Sequence, residues 1–317
     1  MRTAPAASDA RARTFHHSLY SAARIAAARR GAISVCLPAR ECAGTVGEIV
    51  ARLLPLREQG AIDEIVVVDA ASPDGTAEVA RRAGATVHQE AELLPEFGAV
   101  LGKGDAMWRA LSILRGELVC FLDADTEGFS AHFCTGLLGP LVCEPRVQFV
   151  KGCYRRPFEH GGVSLPEGGG RVNHLTARPA LALFYPELAW VRQPLAGEVA
   201  APRALLQRLP FATGYGVEIA MLIDAWHELG GDGLAQVDLD VHRNRHQPLH
   251  ALTPMAHTVL ATIARRLQRE GRLREGEGDG RTTAARPAAA ADRATLEAAA
   301  PPSPVERPPL ASLGAAR

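Results

Sequence analysis

Two aspartates separated by one residue, Asp123 and Asp125, follow directly on an apolar run, Glu117–Leu122 (ELVCFL). Carboxylates at i and i+2 past a buried strand can hold one hard divalent cation, Mg2+ or Mn2+, and through it a diphosphate. A solvated turn carries the same pattern, so Asp123-Ala124-Asp125 takes its meaning from its neighbours. Pro38-Ala39-Arg40-Glu41-Cys42 ends or follows the run Ile33–Ala39 (ISVCLPA), and Asp69-Ala70-Ala71-Ser72 ends Glu64–Ala70 (EIVVVDA). A base and a ribose fit between two such turns, with Asp69 or Ser72 bonding their polar atoms. Each turn alone is also plain turn chemistry. The three together point to a site.

Cations are chosen unevenly. Of 35 basic residues only Lys103 and Lys151 are lysine. Heavy Arg and Ala use reflects GC-rich coding, and against it a retained lysine suggests that a compact ammonium is wanted. Glu167–Asn173 (EGGGRVN) adds a glycine loop opening a helix, where backbone N–H groups and Arg171 can meet a phosphate or carboxylate.

The elements that carry these residues alternate. Strand Ile33–Ala39 leads to a helix over Thr45–Leu56 with Val46, Ile49, Val50 and Leu53 on one face. Strand Glu64–Ala70, a helix over 75–83, a short strand Ala85–His88, a helix over Gly104–Leu114 and strand Glu117–Leu122 follow. Near-continuous apolar strands between helices predict an α/β, doubly wound parallel sheet with both faces covered. Ligands collect at the carboxyl ends of such strands, where all three clusters sit. The chain divides into an extension with a helix at 1–30, a nucleotide-binding half at 31–126, a second half at 127–270, and a mostly flexible tail at 271–317. Within the second half, Gln148–Tyr154 and Ala235–His246 read as strands, and Thr213–His227 and Met255–Arg269 as helices.

Composition removes several classes. Thirty-five basic and 35 acidic residues cancel, so no chain-wide basic field is available for nucleic acid. No apolar run approaches the roughly 18 residues that span a bilayer, so no membrane partner is expected. Six cysteines without a C-x-x-C pair, and no secretory leader, predict reduced thiols and a cytoplasmic protein. A dinucleotide G-x-G-x-x-G after the first strand, a P-loop and a zinc-protease H-E-x-x-H are all missing.

The ordered motifs LPARECAGTV, VVVDAASPDGT, GKGDAMWRAL, FLDAD, FVKGCYRRP, GGGRV, RQPLAGE, GYGVEIAMLID and HRNRHQPL resemble those of glucosyl-3-phosphoglycerate synthases. The resemblance runs from Ile33 to Leu249, with a weaker echo in Val305–Pro309 (VERPP). It implies a GT-A glycosyltransferase fold, a Rossmann-like nucleotide-sugar half plus an acceptor half. It further implies transfer of glucose from UDP-glucose to D-3-phosphoglycerate with retention, Mg2+ or Mn2+ as cofactor, and a homodimer. Attack from the front face, with the leaving phosphate taking the acceptor proton, would need no enzymic nucleophile. Asp125, Glu218 and Leu195 match the catalytic and sugar-lining positions. Pro38, Ala39, Arg40, Glu41, Cys42, Asp69, Ser72, Lys103, Asp123 and Ala124 match the nucleotide-sugar site. Gly170, Arg171, Asn173, Arg243, Arg245 and His246 are assigned to the acceptor, with Tyr154-Arg155-Arg156 behind them.

Three departures bear on that reading. Cys42 stands at the glutamate position used for uridine, with Glu41 next to it. Asn173 replaces a threonine of the acceptor loop. Ungapped matching puts Asn244 at the metal histidine, whereas a short shift selects His242, and His246 is also within reach. The metal set is therefore Asp123, Asp125 and one of His242, Asn244 and His246. On extended chain these last three share a side, with Arg243 and Arg245 opposite. Another sugar or acceptor, such as mannosyl-3-phosphoglycerate synthesis, and an inactive nucleotide-sugar-binding protein stay open on these departures.

Overall fold

The computed structural model describes residues 13–160, 163–244, 247–273 and 305–314. Strands β1 (Thr14–His16), β2 (Ile33–Ala39), β3 (Glu64–Asp69), β4 (Thr86–Gln89), β5 (Leu118–Phe121), β6 (Phe149–Arg155), β9 (Val199–Pro202) and β11 (Leu234–Val241) form one sheet. Its order is β1-β11-β6-β9-β5-β2-β3-β4. Between β6 and β9 lies a small hairpin, β7 (Phe158–His160) with β8 (Val163–Leu165). β10 (Phe211–Ala212) lies outside the large sheet.

The apolar runs are explained by burial on both faces. In β2, Ile33, Val35 and Leu37 enter one core, while Cys36 enters the other. β3 alternates likewise, with Ile65 and Val67 on one side and Val66 and Val68 on the other. Helices α1 (Ala22–Ala28), α2 (Val46–Glu58) and α3 (Thr76–Arg82) precede α4 (Lys103–Ala110) and α5 (His132–Cys143). Ile25, Ile49, Leu53, Phe133 and Leu137 of α1, α2 and α5 fill the first core. The second is closed by Met107 and Trp108 of α4 and by two later helices, α8 (Val217–Leu229) and α9 (Thr253–Arg269). Two short helices, α6 (Arg178–Phe184) and α7 (Arg203–Arg208), come between α5 and α8.

Strand order positions the site. From β2 the chain moves outward through β3 and β4, then returns to β5 on the other side of β2, all in parallel. Order therefore reverses at β2, opening a crevice at the carboxyl ends of β2, β3 and β5. β9 runs antiparallel to both β5 and β6 and joins this half to β6, β11 and β1, themselves parallel. One sheet thus crosses the 126/127 division. Thr14–His16, inside the stretch read as an extension, supplies the edge strand beside β11. With three residues it is too short to carry a readable alternation.

Residues 274–304, most of the tail read from 271 onward, lie outside the described residues. Beyond them Val305–Gly314 is docked, and β12 (Glu306–Arg307) pairs antiparallel with β10. Val305 O accepts from Thr213 N–H and Oγ1, both at 2.9 Å. Arg307 forks onto the fully buried Asp105 at 2.7 and 2.8 Å, and Trp108 Nε1–H donates to Pro308 O. Glu306 meets Arg266, which is 2% exposed, and Arg269. Burial works against the ionised Glu306, but the two guanidiniums prevail and hold its carboxyl below the usual glutamate range.

Glu306→Ala removes one of the two carboxylates paired with a buried guanidinium, Asp224 remaining. The expected loss is about 1.5–3 kcal/mol, the range for hydrogen bonds to charged groups, measured by urea unfolding at neutral pH. Because the folded carboxyl is the stronger acid, its contribution is complete above the unfolded pKa and declines as pH falls through the folded one. Acid should therefore erase the difference between wild type and Glu306→Gln. A gap unchanged at low pH would reject this account.

Candidate active site

A cleft of about 470 Å3 lies at the crevice, within the range of small-molecule sites. Pro38, Ala39, Arg40, Cys42 and Ala70 contribute from the ends of β2 and β3, and Lys103 from the head of α4. Asp123, Ala124 and Asp125 follow β5 into it. Gly170, Arg171, Asn173, Leu195, Glu218 and Asn244 line the remainder.

Lys103 is the centre of charge. Its ammonium lies 2.6 Å from Asp123 Oδ1 and 2.9 Å from Glu218 Oε1. Burial alone would lower its pKa, but the two carboxylates raise it well above the ordinary lysine value. This contact needs two glycines. A Cβ on Gly197 would sit 2.1 Å from Asp123 Oδ1 and 2.5 Å from Lys103 Nζ. A Cβ on Gly104 would meet Ala212 O at 2.0 Å, pushing α4 off β10. Asp125 is exposed at the cleft, and its carboxyl is raised by desolvation and then by the Asp123 charge, against Lys103 and His242.

Behind Asp123 stands a buried imidazole. His242 Nε2 lies 3.0 Å from Glu198 Oε1 and 3.1 Å from Thr126 Oγ1, and its ring stacks on Tyr154. Glu198 Oε2 accepts from Tyr154 OH at 3.0 Å. Burial opposes ionised Glu198, but His242 and Lys103 bring its carboxyl down to about 2. Asp123, Glu198 and His242 place ligating atoms within 4.8 Å of one another. His242 Nδ1 is buried without a hydrogen-bond partner. Glu198 Oε1 is likewise buried without a hydrogen-bond partner, so an imidazole nitrogen and a carboxylate oxygen are left over close to Asp123, the kind of buried polar atoms a cation would satisfy. With oxygen donors around it, the set fits Mg2+ or Mn2+.

The nucleotide turns divide in their placement. Cys42 lines the cleft, and burial pushes its thiol up to about 11, so it is a neutral polar contact. Glu41 is exposed outside the lining, with φ at 53° and its N–H donated to Ser72 Oγ. Asp69 is buried beneath; Oδ2 accepts from Ser72 N–H and Gln89 Nε2, and Oδ1 has no partner.

On the far side, Arg171 lies over the Phe158 ring and donates to Gln247 O. Asn173 is buried, donates Nδ2–H to Arg192 O and accepts from Leu195 N–H, so its amide ties the glycine loop to the Leu195 loop. Arg156 Nη2 donates to Asn244 Oδ1. Past the end of β11, His242 is buried, Arg243 exposed, and Asn244 back in the cleft. Arg245 and His246 lie outside the described residues.

Sequence reasoning did not single out Glu198, Gly197, Glu90 or Thr126. Glu198 carried a signal within RQPLAGE, but its partner is 44 residues away from it at His242. Glu90, in the cleft near Arg40, has its carboxyl raised by burial against the pull of Arg40.

Residues 34–161 match the glycosyl transferase family 2 model. The glucosyl-3-phosphoglycerate synthase of Mycolicibacterium smegmatis is 44% identical over 248 residues, 78% of this chain and 82% of that protein. A solved mannosyl-3-phosphoglycerate synthase from Rubrobacter xylanophilus superposes with a TM-score of 0.80 at 46% identity, covering 86% of this chain and 87% of its own. The Mycobacterium tuberculosis glucosyl-3-phosphoglycerate synthase, solved with Mn2+, UDP-glucose and phosphoglyceric acid, gives 0.76 at 38% identity, covering 93% and 95%. That enzyme has also been solved with Mg2+ and UDP.

Gly197→Ala tests the central contact directly. The added methyl meets the ends of two side chains, which can move aside, so the unfolding midpoint should hold. Turnover should fall about a hundredfold, the cost of misplacing a reacting group by about 1 Å. Full activity in this variant would remove Lys103–Asp123 from the site's working geometry.

Proposed function

This chain belongs to the glucosyl-3-phosphoglycerate synthase family of metal-dependent, GT-A-fold glycosyltransferases, and on that premise we propose how its own residues carry the transfer. Glucose passes from UDP-glucose to the C2 hydroxyl of D-3-phosphoglycerate with the α configuration kept, giving glucosyl-3-phosphoglycerate. The observation that carries this reading is the charge order of the cleft. Carboxylates Asp123, Asp125 and Glu218 gather round Lys103, with Arg156 and Arg171 on the acceptor side.

Residues 31–126 serve the nucleotide of the donor, and 127–270 the acceptor together with the donor's sugar and the metal's histidine. Arg40 and Cys42 meet the base and Asp69 braces their turn through Ser72. Asp123, Asp125 and His242 would hold the metal, with Glu198 beside the imidazole. Mg2+ or Mn2+ held there would supply positive charge against that developing on the diphosphate. Lys103 adds a point cation beside it. Glu218 and Leu195 bound the sugar, Glu218 as acceptor for its hydroxyls. Arg171 and the glycine loop hold the phosphate or carboxylate of the acceptor, which aligns its hydroxyl with the anomeric carbon. The C1–O bond to diphosphate breaks, the new C1–O bond forms on the same face, and the hydroxyl proton passes to the leaving phosphate oxygen.

The 46% identity to a mannosyl-3-phosphoglycerate synthase supports a second reading, in which mannose is the sugar. UDP-glucose and GDP-mannose, each supplied with 3-phosphoglycerate and Mg2+ or Mn2+, separate the two. A homodimer and a cytoplasmic location complete the proposal. All six cysteines are free, most of them buried, which suits a reducing compartment. No described helix is long and apolar enough to cross a membrane. Sedimentation would give the oligomeric state.

Asp125→Ala should abolish transfer and metal-dependent UDP binding without altering the fold, since the side chain is exposed. Undiminished turnover would reject its role. Arg171→Lys keeps charge but loses the planar fork. Acceptor affinity should fall by roughly ten- to a hundredfold, from about 1.5–3 kcal/mol, while UDP-glucose affinity holds. A wild-type protein flat to 3-phosphoglycerate would sink the acceptor assignment, and equal affinities would sink the part given to Arg171.

A further inference from the structure

Away from the cleft, a second group of ligating side chains lies where the amino-terminal strand meets the sheet edge. β1 runs parallel to β11 with His16 opposite Asp238. His17 Nε2 lies 2.7 Å from Asp240 Oδ2, and His16 Nε2 lies 3.5 Å from Asp240 Oδ1. Ligating atoms of all three residues fall within 4.8 Å of one another.

The backbone holds Asp240 in place for this. β11 bulges between Asp238 and Val241, and Asp240 there has φ at 66°, in the left-handed region. Its N–H donates to Asp238 Oδ1 at 3.0 Å, and Asp238 is itself held by Arg192. A strained residue of this kind persists where its surroundings over-determine it. The imidazoles are braced from behind. His16 Nδ1 lies 2.8 Å from Ser18 Oγ, and the His17 ring stacks on His132 at 4.1 Å. His132 is in turn fixed by its Nε2 on Leu239 O.

We propose that His16, His17 and Asp240 bind a borderline divalent cation, Zn2+ being the best match, which pins the amino-terminal strand to β11. Two imidazoles and one carboxylate make a nitrogen-rich set that suits Zn2+, unlike the oxygen donors preferred by Mg2+ and Ca2+. A tetrahedral ion with bonds near 2.0–2.1 Å keeps its ligand atoms about 3.3 Å apart. His16 Nε2 is already about that far from Asp240 Oδ1, and His17 Nε2 has only to open slightly from Oδ2, so each carboxylate oxygen faces one imidazole across the space for the ion. With protons on Nδ1, both Nε2 atoms face the ion. His16 Nδ1, which here accepts from Ser18 N–H at 3.2 Å, gives up that bond on binding and donates instead to Ser18 Oγ, the outer bond that orients a ligating histidine. Asp240 and His16 are each about half exposed, so an ion has access and a water can complete its shell.

The test uses the full chain, stripped with chelator and titrated calorimetrically with Zn2+, wild type beside His16→Gln and His17→Gln. Wild type should bind one equivalent more than either variant, and Zn2+ should raise its melting temperature further than theirs. Ser18→Ala should weaken that equivalent by about 10–100-fold. Mg2+-supported transfer by zinc-free His16→Gln should match wild type, because the residue lies outside the cleft. Should His17→Gln fail to fold, the exposed His16→Gln decides alone. Equal Zn2+ stoichiometry in wild type and His16→Gln overturns the site.

Discussion

Lys103 can stand between Asp123 and Glu218 only because the backbone keeps clear of it, at Gly197 beside the ion pair and at Gly104 beneath the helix that presents it. Everything else in the cleft is arranged around that ammonium. Four carboxylates converge there, Asp123, Asp125, Glu198 and Glu218. Two like charges 4 Å apart repel by about 4 kcal/mol at an effective dielectric of 20. The ammonium, the imidazole beside Glu198 and the metal that the family uses each lift part of that repulsion. The site is thus a crowd of anions made tolerable by cations, and a diphosphate can enter only where those cations outweigh them.

The same balance explains Asn173. Its amide reaches both Arg192 O and Leu195 N–H. It joins the glycine loop to the loop around Leu195. Its part is therefore one of scaffolding between two loops. Cys42 differs in kind: it faces the cleft, and its neutral thiol offers a base a weaker contact than a carboxylate would.

Strands β2, β3 and β5 were legible because strands covered on both faces are apolar at nearly every position, and the chain spells them so. The three polar turns at their ends were legible for the same reason: polarity returns abruptly where the sheet stops. β9 was not. Four residues, Val199–Pro202, give no period to read, and the strand is antiparallel in a chain whose rhythm announces parallel pairing. Glu198 was hidden because its meaning lies in a contact with His242, and the pairing of β6, β9 and β11 that creates the contact has no local signature. The choice among His242, Asn244 and His246 was open for a related reason. Alternation gives a side of the chain, but only burial against Tyr154 and Glu198 distinguishes His242 from Asn244 on that side.

The docked segment Val305–Gly314 has a consequence in time. Its partners Asp105 and Trp108 lie about 200 residues earlier in the chain, and Arg266 lies 40 earlier. At synthesis rates of about 5–20 residues per second, Asp105 waits on the order of 10–40 s for Arg307, with Arg109 beside it meanwhile. The helix that presents Lys103 is therefore among the first parts made and among the last secured. A nascent or clipped chain that has the whole sheet still lacks the clasp behind the helix that carries its central ammonium.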